Sequence, residues 1–243
     1  MAIIEVNNFS KKFGNKIVHK NIEFQVNKGE CLGLLGGSGA GKSVILRSLI
    51  GLEKPDTGSI KIEGEEIVYK TEKELIEIRK KVAYVFQNGA LFDSMNVFDN
   101  LAYPLKEHTK LNQQQISDEI SKILIEFGLD GNEHIFPSEL SGGMQKRVGL
   151  ARSIIINPHI VLFDEPTAGL DPFNTIKIQE TILKLKEKGM TSIFVTHDMP
   201  SAFAVCDRLA LVQEGKVTCI DTVQNVKKDE NNIINQFIKG YYV

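Results

Sequence analysis

Several features that would point to particular functions are missing or scarce in this sequence. It has only three cysteines in 243 residues (Cys31, Cys206 and Cys219), odd in number, scattered and without metal-ligand spacing. That argues against a disulfide scaffold or a cysteine metal centre; they read as reduced thiols of a cytosolic protein, two of them small core residues. Excess charge is missing too: the formal net charge is −2, so no global basic field attracts nucleic acid or anionic lipid, and no nucleic-acid partner is expected. No apolar run reaches the roughly 18–20 residues of a membrane span; the stretch 153–163 is interrupted by Asn157-Pro158-His159. The start, MAIIEVNNF, has no basic segment followed by an apolar one, so no secretory signal is expected. Internal repeats and low-complexity segments are also absent. Any work at a membrane would require recruitment.

What remains is ordinary for a globular protein, 42% hydrophobic and 25% charged, and long enough for one large domain or two small ones. The most informative stretch is Leu35–Ser43, LGGSGAGKS, with Gly36, Gly41, Lys42 and Ser43 at the G-x-x-x-x-G-K-[ST] spacing of a phosphate-cradling loop. An apolar run over 31–35 predicts a buried strand before it, and 44–50 predicts a helix after it. Backbone N–H groups of Gly36, Gly37, Ser38, Gly39, Ala40, Gly41 and Val44 suit a polyphosphate, helped by the positive end of the helix. Lys42 is then placed for the β/γ-phosphates and Ser43 for Mg²⁺.

Taken in order, strands are predicted over 2–7, 22–26 and 31–35, with Phe13-Gly14 in the first connection, and a hairpin over 59–62 and 67–68 around Gly64. A charged helix is predicted over about 72–81 and a strand over 82–86. From Asn88 to about Ile156 no strand pattern occurs, and 112–127 and 142–156 have helical periodicity. Strands return at 160–163, 192–195, 209–212 and 217–220, with a helix over 174–188 stopped by Gly189. The reading is an α/β core, about 1–87 and 157–243, interrupted by a helical subdomain over about 88–156. In the tail, Ile233, Ile234, Phe237, Ile238 and Tyr241 fall on roughly one helical face, suited to packing on the core or to contact with a second copy or a regulator.

Two further segments carry chemistry. The strand 160–163 ends in Asp164 and Glu165; beside a phosphate loop, Asp164 suits Mg²⁺ and Glu165 suits a general base for attacking water. Ser141, an N-cap residue, precedes Gly142 and Gly143 at the start of an apolar-periodic helix, giving a second helix terminus open to an anion.

In this combination the whole chain resembles an ATP-binding subunit of an ABC transporter. GGSGAGKS matches Walker A, Gln87 the Q-loop glutamine, and LSGGM the signature, with Met144 where glutamine is usual. IVLFDE matches Walker B, Ala168–Asp171 the D-loop, and His197 in VTHD the switch histidine, while Phe13 matches the aromatic that stacks on adenine. The resemblance implies a P-loop NTPase (RecA-like) α/β core with an antiparallel β-subdomain and an inserted α-helical subdomain, using ATP and Mg²⁺. It implies nucleotide contacts from Ser141, Gly142, Gly143 and Asp171, metal contacts from Ser43, Gln87 and Asp164, and catalysis by Glu165 with His197 and Gln87. Two copies would face each other head to tail, each ATP lying between one chain's Walker A and the other's signature.

The segment GALFDSMNVFDNLAYPLKEHT is similar to its counterpart in ATPases of Mla/Mce phospholipid-transport systems, as is PSELSGGM. That implies a permease docked near 88–105, through apolar residues such as Leu91, Phe92, Met95, Val97 and Phe98. It also implies an Mce-domain lipid-binding protein and, in some members, a small STAS-like subunit, on the cytoplasmic face of a bacterial inner membrane. A solute importer would share every catalytic motif. A soluble cluster-assembly ATPase is compatible in size, whereas the paired cassettes of translation factors and the coiled coils of repair ATPases are absent.

Overall fold

The computed structural model of the chain describes residues 1–240. Strands β1 (Ala2–Phe13) and β2 (Lys16–Asn27) form one long hairpin, followed by β3 (Cys31–Leu35) and helix α1 (Lys42–Leu49). Next come β4 (Thr57–Ile62), β5 (Glu65–Glu66), α2 (Glu72–Lys81) and β6 (Val82–Val85). Three helices follow, α3 (Val97–His108), α4 (Gln113–Glu126) and α5 (Gly142–Ile154). The remainder is β7 (Ile160–Asp164), α6 (Pro172–Glu187), β8 (Thr191–Val195), α7 (Met199–Val205), β9 (Arg208–Gln213), β10 (Lys216–Thr222), α8 (Val223–Lys228) and α9 (Ile233–Ile238).

The strands make an antiparallel sheet in the order β2-β1-β4-β5 and a six-stranded sheet in the order β10-β9-β3-β8-β7-β6. In the second sheet β9, β3, β8, β7 and β6 run parallel and β10 is antiparallel to β9. Parallel strands are covered on both faces, which is why they read as continuous apolar runs. Their alternate residues divide between two cores. Leu32, Leu34, Ile160, Leu162, Ile193 and Val195 pack with α1, α2 and the antiparallel sheet. Val161, Phe163, Phe194, Leu209 and Leu211 pack with Leu101, Ile120, Val148 and the other helices on the opposite face. This α/β arrangement agrees with the predicted fold class.

Several local expectations are corrected. The first two strands run well past 2–7 and 22–26, because pairing continues from Phe9–Ile22 to Phe13–Lys16 through largely exposed, polar residues that carry no apolar alternation. The second hairpin strand is Glu65–Glu66 rather than 67–68: the tight turn at Gly64 pairs Ile62 with Glu65, and Ile67 is instead buried as the chain leaves the sheet. Helices α3, α7 and α8 went unpredicted. The first contains Pro104, which reads as a stop, yet Val97, Leu101 and Leu105 at four-residue spacing bury one face. Cys31 and Cys206 are buried core residues and Cys219 is half-buried. In the tail, Ile234 is fully buried, Phe237 and Ile238 pack on the core and Ile233 is exposed, while Tyr241 lies outside the described residues.

Candidate functional site

The phosphate loop joins the end of β3 to α1, and its conformation depends on glycine at position 41. Gly41 has φ +85°, and a Cβ there would lie 2.5 Å from the ring of His19 and 2.6 Å from Val18. His19 is fully buried on β2, with Nε2 3.1 Å from the Gly41 carbonyl. Lys42 is buried, and its ammonium donates to the carbonyls of Gly36 (2.7 Å) and Gly37 (3.1 Å). Burial lowers its pKa from the usual lysine range, opposed by the negative charges of Glu165 and Asp164. Residues Gly37, Ser38, Gly39 and Ala40 line a cavity of about 660 Å³ with Lys16 and Val18 of β2, the β9–β10 turn and Phe237 of α9. Phe13 sits exposed at the hairpin tip with the Lys11 ammonium 4.8 Å from its ring centroid, and it is not among the residues lining that cavity.

Strand register brings the acidic residues to the same place. β7 pairs with β8 so that Asp164 lies opposite Val195, and the next residues of each strand emerge side by side. Glu165, at φ +51°, donates its N–H to the Val195 carbonyl (2.9 Å), and its Oε2 lies 3.0 Å from His197 Nδ1. Non-glycine residues held in the left-handed region cluster at functional sites. On the other flank, the Ser43 hydroxyl donates to Asp164 Oδ1 (2.9 Å) and the Tyr84 hydroxyl donates to Asp164 Oδ2 (2.7 Å). In the sequence Tyr84 looks like one more apolar member of VAYVF, and nothing local marks it. Gln87 is exposed just beyond β6, where the Phe86 ring stacks on Tyr84 at 4.4 Å between centroids.

The helix terminus at Ser141–Gly143 adjoins the segment Ala168–Asp171. Ser141 caps α5, its hydroxyl accepting from the Met144 N–H (3.3 Å). A Cβ on Gly143 would meet the Asn174 side chain at 2.5 Å, so α5 begins directly against the start of α6. Asp171 caps α6, accepting from the Asn174 backbone (3.0 Å) and side chain (2.6 Å), and the Lys146 ammonium donates to the Ala168 carbonyl. Hydrogen bonds from Asn174 hold the Asp171 carboxyl below its usual pKa. Ser141 and Gly142 are exposed, whereas Met144 packs on the protein's own core.

The segment after Gln87 is rigidly organised. Asn100, fully buried on α3, accepts from the Phe92 N–H (2.9 Å) and donates to the carbonyls of Phe92 (3.1 Å), Met95 (3.0 Å) and Asn96 (3.0 Å). Arg152 of α5 donates to Asn100 Oδ1 (3.1 Å) and to the Ala90 carbonyl (2.7 Å), with its guanidinium 5.0 Å from the Phe92 ring centroid. The expected apolar docking run is split by this folding. Val97 is fully buried because it opens α3 toward the helical core, and Leu91 and Phe98 pack partly against that core. The exposed apolar pair is Phe92 with Tyr103, edge to face at 5.3 Å.

The model of the family described as "ABC transporter" matches residues 19–168, which run from His19 through the phosphate loop to the D-loop. The chain belongs to the ABC transporter family. Among curated relatives, the probable ribonucleotide transport ATP-binding protein mkl of Mycobacterium tuberculosis is 41% identical over 238 residues, 98% of this chain. The chain spans 66% of that relative's length. The intermembrane phospholipid transport system ATP-binding protein MlaF of Haemophilus influenzae is 36% identical over 239 residues, covering 98% of this chain and 90% of that protein. MlaF of Escherichia coli K12 is 35% identical over the same length, covering 89% of that protein. Among solved structures, an ATP-binding cassette described as a dimer in a post-hydrolysis state bound to ADP and Pi superposes with a TM-score of 0.84 at 30% identity, covering 90% of this chain and 98% of that one. An ABC transporter's ATP-binding subunit gives 0.81 at 26% identity, covering 93% and 92%. Among the described residues no helix is long and apolar enough to cross a membrane.

Proposed function

We propose that this ABC-family chain binds and hydrolyses ATP to drive phospholipid movement between bacterial membranes through a separate permease. The observation that carries the transport class is the near-complete match, in both chains, to relatives named for intermembrane phospholipid transport. The chemistry rests on the convergence of Lys42 and Ser43, at the start of α1, with Asp164, Glu165 and His197 at the adjoining ends of β7 and β8.

In this reading the loop from Gly36 to Val44 binds the phosphates of ATP, and the Lys42 ammonium exchanges its two carbonyl contacts for phosphate oxygens. Each charge-assisted hydrogen bond contributes about 1.5–3 kcal/mol. Phe13 supplies an aromatic face for the adenine. Ser43 and Asp164 are hard oxygen donors whose Oγ and Oδ1 lie 2.9 Å apart, a donor set that fits Mg²⁺. With Gln87 they would hold that ion, which when bound neutralises charge developing on the phosphates. Glu165 accepts a proton from the attacking water, and His197, whose Nδ1 lies 3.0 Å from Glu165 Oε2, orients that carboxylate and the γ-phosphate.

Ser141, Gly142, Gly143 and Asp171 complete the phosphate site of a second copy, so that ATP holds two chains together head to tail and hydrolysis releases them. The helical subdomain over about 88–156 carries both the signature and the permease-facing segment, with the core over 1–87 and 157–243. The chain works as a peripheral protein on the cytoplasmic face of the inner membrane, alongside an Mce-domain lipid-binding protein and a small STAS-like subunit. Gentle-detergent co-purification from native membranes, read by mass spectrometry, tests this. A permease with an Mce-domain protein and bound phospholipid is expected. A solute permease would favour the second reading, ribonucleotide transport, for which the mkl relatives are named, and purely soluble companions would overturn transport altogether.

A further inference from the structure

The Asp164 carboxylate has both oxygens engaged from the same face of the sheet. β6 and β7 are parallel with Tyr84 opposite Leu162, so Tyr84 and Asp164, two residues on, share that face as diagonal neighbours. Helix α1 lies on the same side and contributes Ser43 and Arg47, four residues apart and therefore on one helical stripe. Ser43 donates to Oδ1 and Tyr84 donates to Oδ2, with the Arg47 cation beside the same phenol. Ser43, Tyr84 and Asp164 thus tie together the phosphate-loop helix, the strand before Gln87 and the Asp164 strand. Burial, reinforced by Asp164, raises the Tyr84 pKa above the usual tyrosine value, so it remains an O–H donor at neutral pH.

We propose that Tyr84 is a positioning residue for the divalent cation: its hydroxyl fixes Asp164 Oδ2, leaving Oδ1 and the Ser43 hydroxyl as the oxygen pair offered to Mg²⁺. This rests on the ATP-and-Mg²⁺ reading given above. Outer partners that orient a ligating carboxylate typically change metal affinity by about 10–100-fold when removed. Tyr84 belongs to the strand that leads into Gln87 and is stacked by Phe86, so the same contact links the Gln87 segment to the metal carboxylate.

The test is Tyr84→Phe, which keeps the ring and removes only the hydroxyl. Binding of a non-hydrolysable ATP analogue is measured by calorimetry with Mg²⁺ and again with excess chelator, giving the factor by which Mg²⁺ strengthens binding. In the parent chain that factor should exceed one, and in Tyr84→Phe it should fall by about tenfold or more, with chelator-condition affinity and melting temperature close to those of the parent. A purely structural hydroxyl predicts the reverse: both forms of the analogue weakened equally, or an unchanged factor, and either result overturns the proposal. If the parent itself gains nothing from Mg²⁺, the metal reading fails, and the proposal fails with it. Should Tyr84→Phe not fold, Tyr84→Met removes the same hydroxyl with a flexible apolar filler; a fall of the factor by about tenfold is again expected, and an unchanged factor overturns the proposal.

Discussion

Gly149 of α5 and Gly89 beyond β6 meet backbone to backbone: a Cβ on Gly149 would lie 2.6 Å from Gly89 Cα and from its carbonyl oxygen. The helix that begins at Ser141 therefore packs directly on the segment that begins at Gln87. Arg152, one turn further along, hydrogen-bonds the Gly89 and Ala90 carbonyls from the same helix. Gly149→Ala should force these backbones apart and cost about 1–3 kcal/mol, read as a melting temperature lower by several degrees. An unchanged melting curve would mean that the contact yields freely.

Lys42→Ala should weaken ATP binding by at least about tenfold, because it removes a buried ammonium that now holds the Gly36 and Gly37 carbonyls. A fluorescent-nucleotide titration measures this. Retained affinity would remove Lys42 from the phosphate site.

Glu165→Gln should leave ATP affinity within a few-fold of the parent and slow phosphate release by about 10²–10⁴. The amide fills the same space beside His197 but cannot take a proton from water. Steady-state phosphate release at the parental rate would exclude Glu165 as the base.

At Glu63, burial by itself would raise the pKa, but hydrogen bonds and charge from His159 and Lys81 outweigh it and hold the carboxyl below its ordinary value of 4.5. The unfolded chain then binds more protons in the window between the two values. The resulting stabilisation is complete above about 4.5 and is lost as pH falls through the lower folded value. Glu63→Gln should flatten stability against pH in that acid window, which denaturant melts at stepped pH can check.

Much of this site could be read in the sequence because its backbone is locally specified. The run Cys31–Leu35, the glycines after it and the Asp164-Glu165 pair need only a buried strand and a turn. Tyr84 and His19 could not be found that way. Tyr84 sits in a run that reads as ordinary strand and His19 in what reads as a connection, and their importance comes from partners 80 and 22 residues away, Asp164 and Gly41. Strand order decides those partnerships, and no local periodicity records it. The Glu165–His197 contact is intermediate: each residue was marked by its motif, but their adjacency follows from the Asp164–Val195 register. The run of apolar residues after Gln87 misled for the opposite reason, since Val97 and Phe92 look alike in sequence and only α3 decides which is buried.

In the proposed dimer each ATP is gripped by Gly36–Ser43 of one copy and Ser141–Gly143 of another. The direct measurement is the mass of the Glu165→Gln protein by light scattering, with and without ATP, alone and combined with Ser141→Arg. A shared site predicts a dimer that requires ATP and is abolished by Ser141→Arg while ATP still binds the monomer. A dimer that ignores ATP, or one that survives Ser141→Arg, would contradict it.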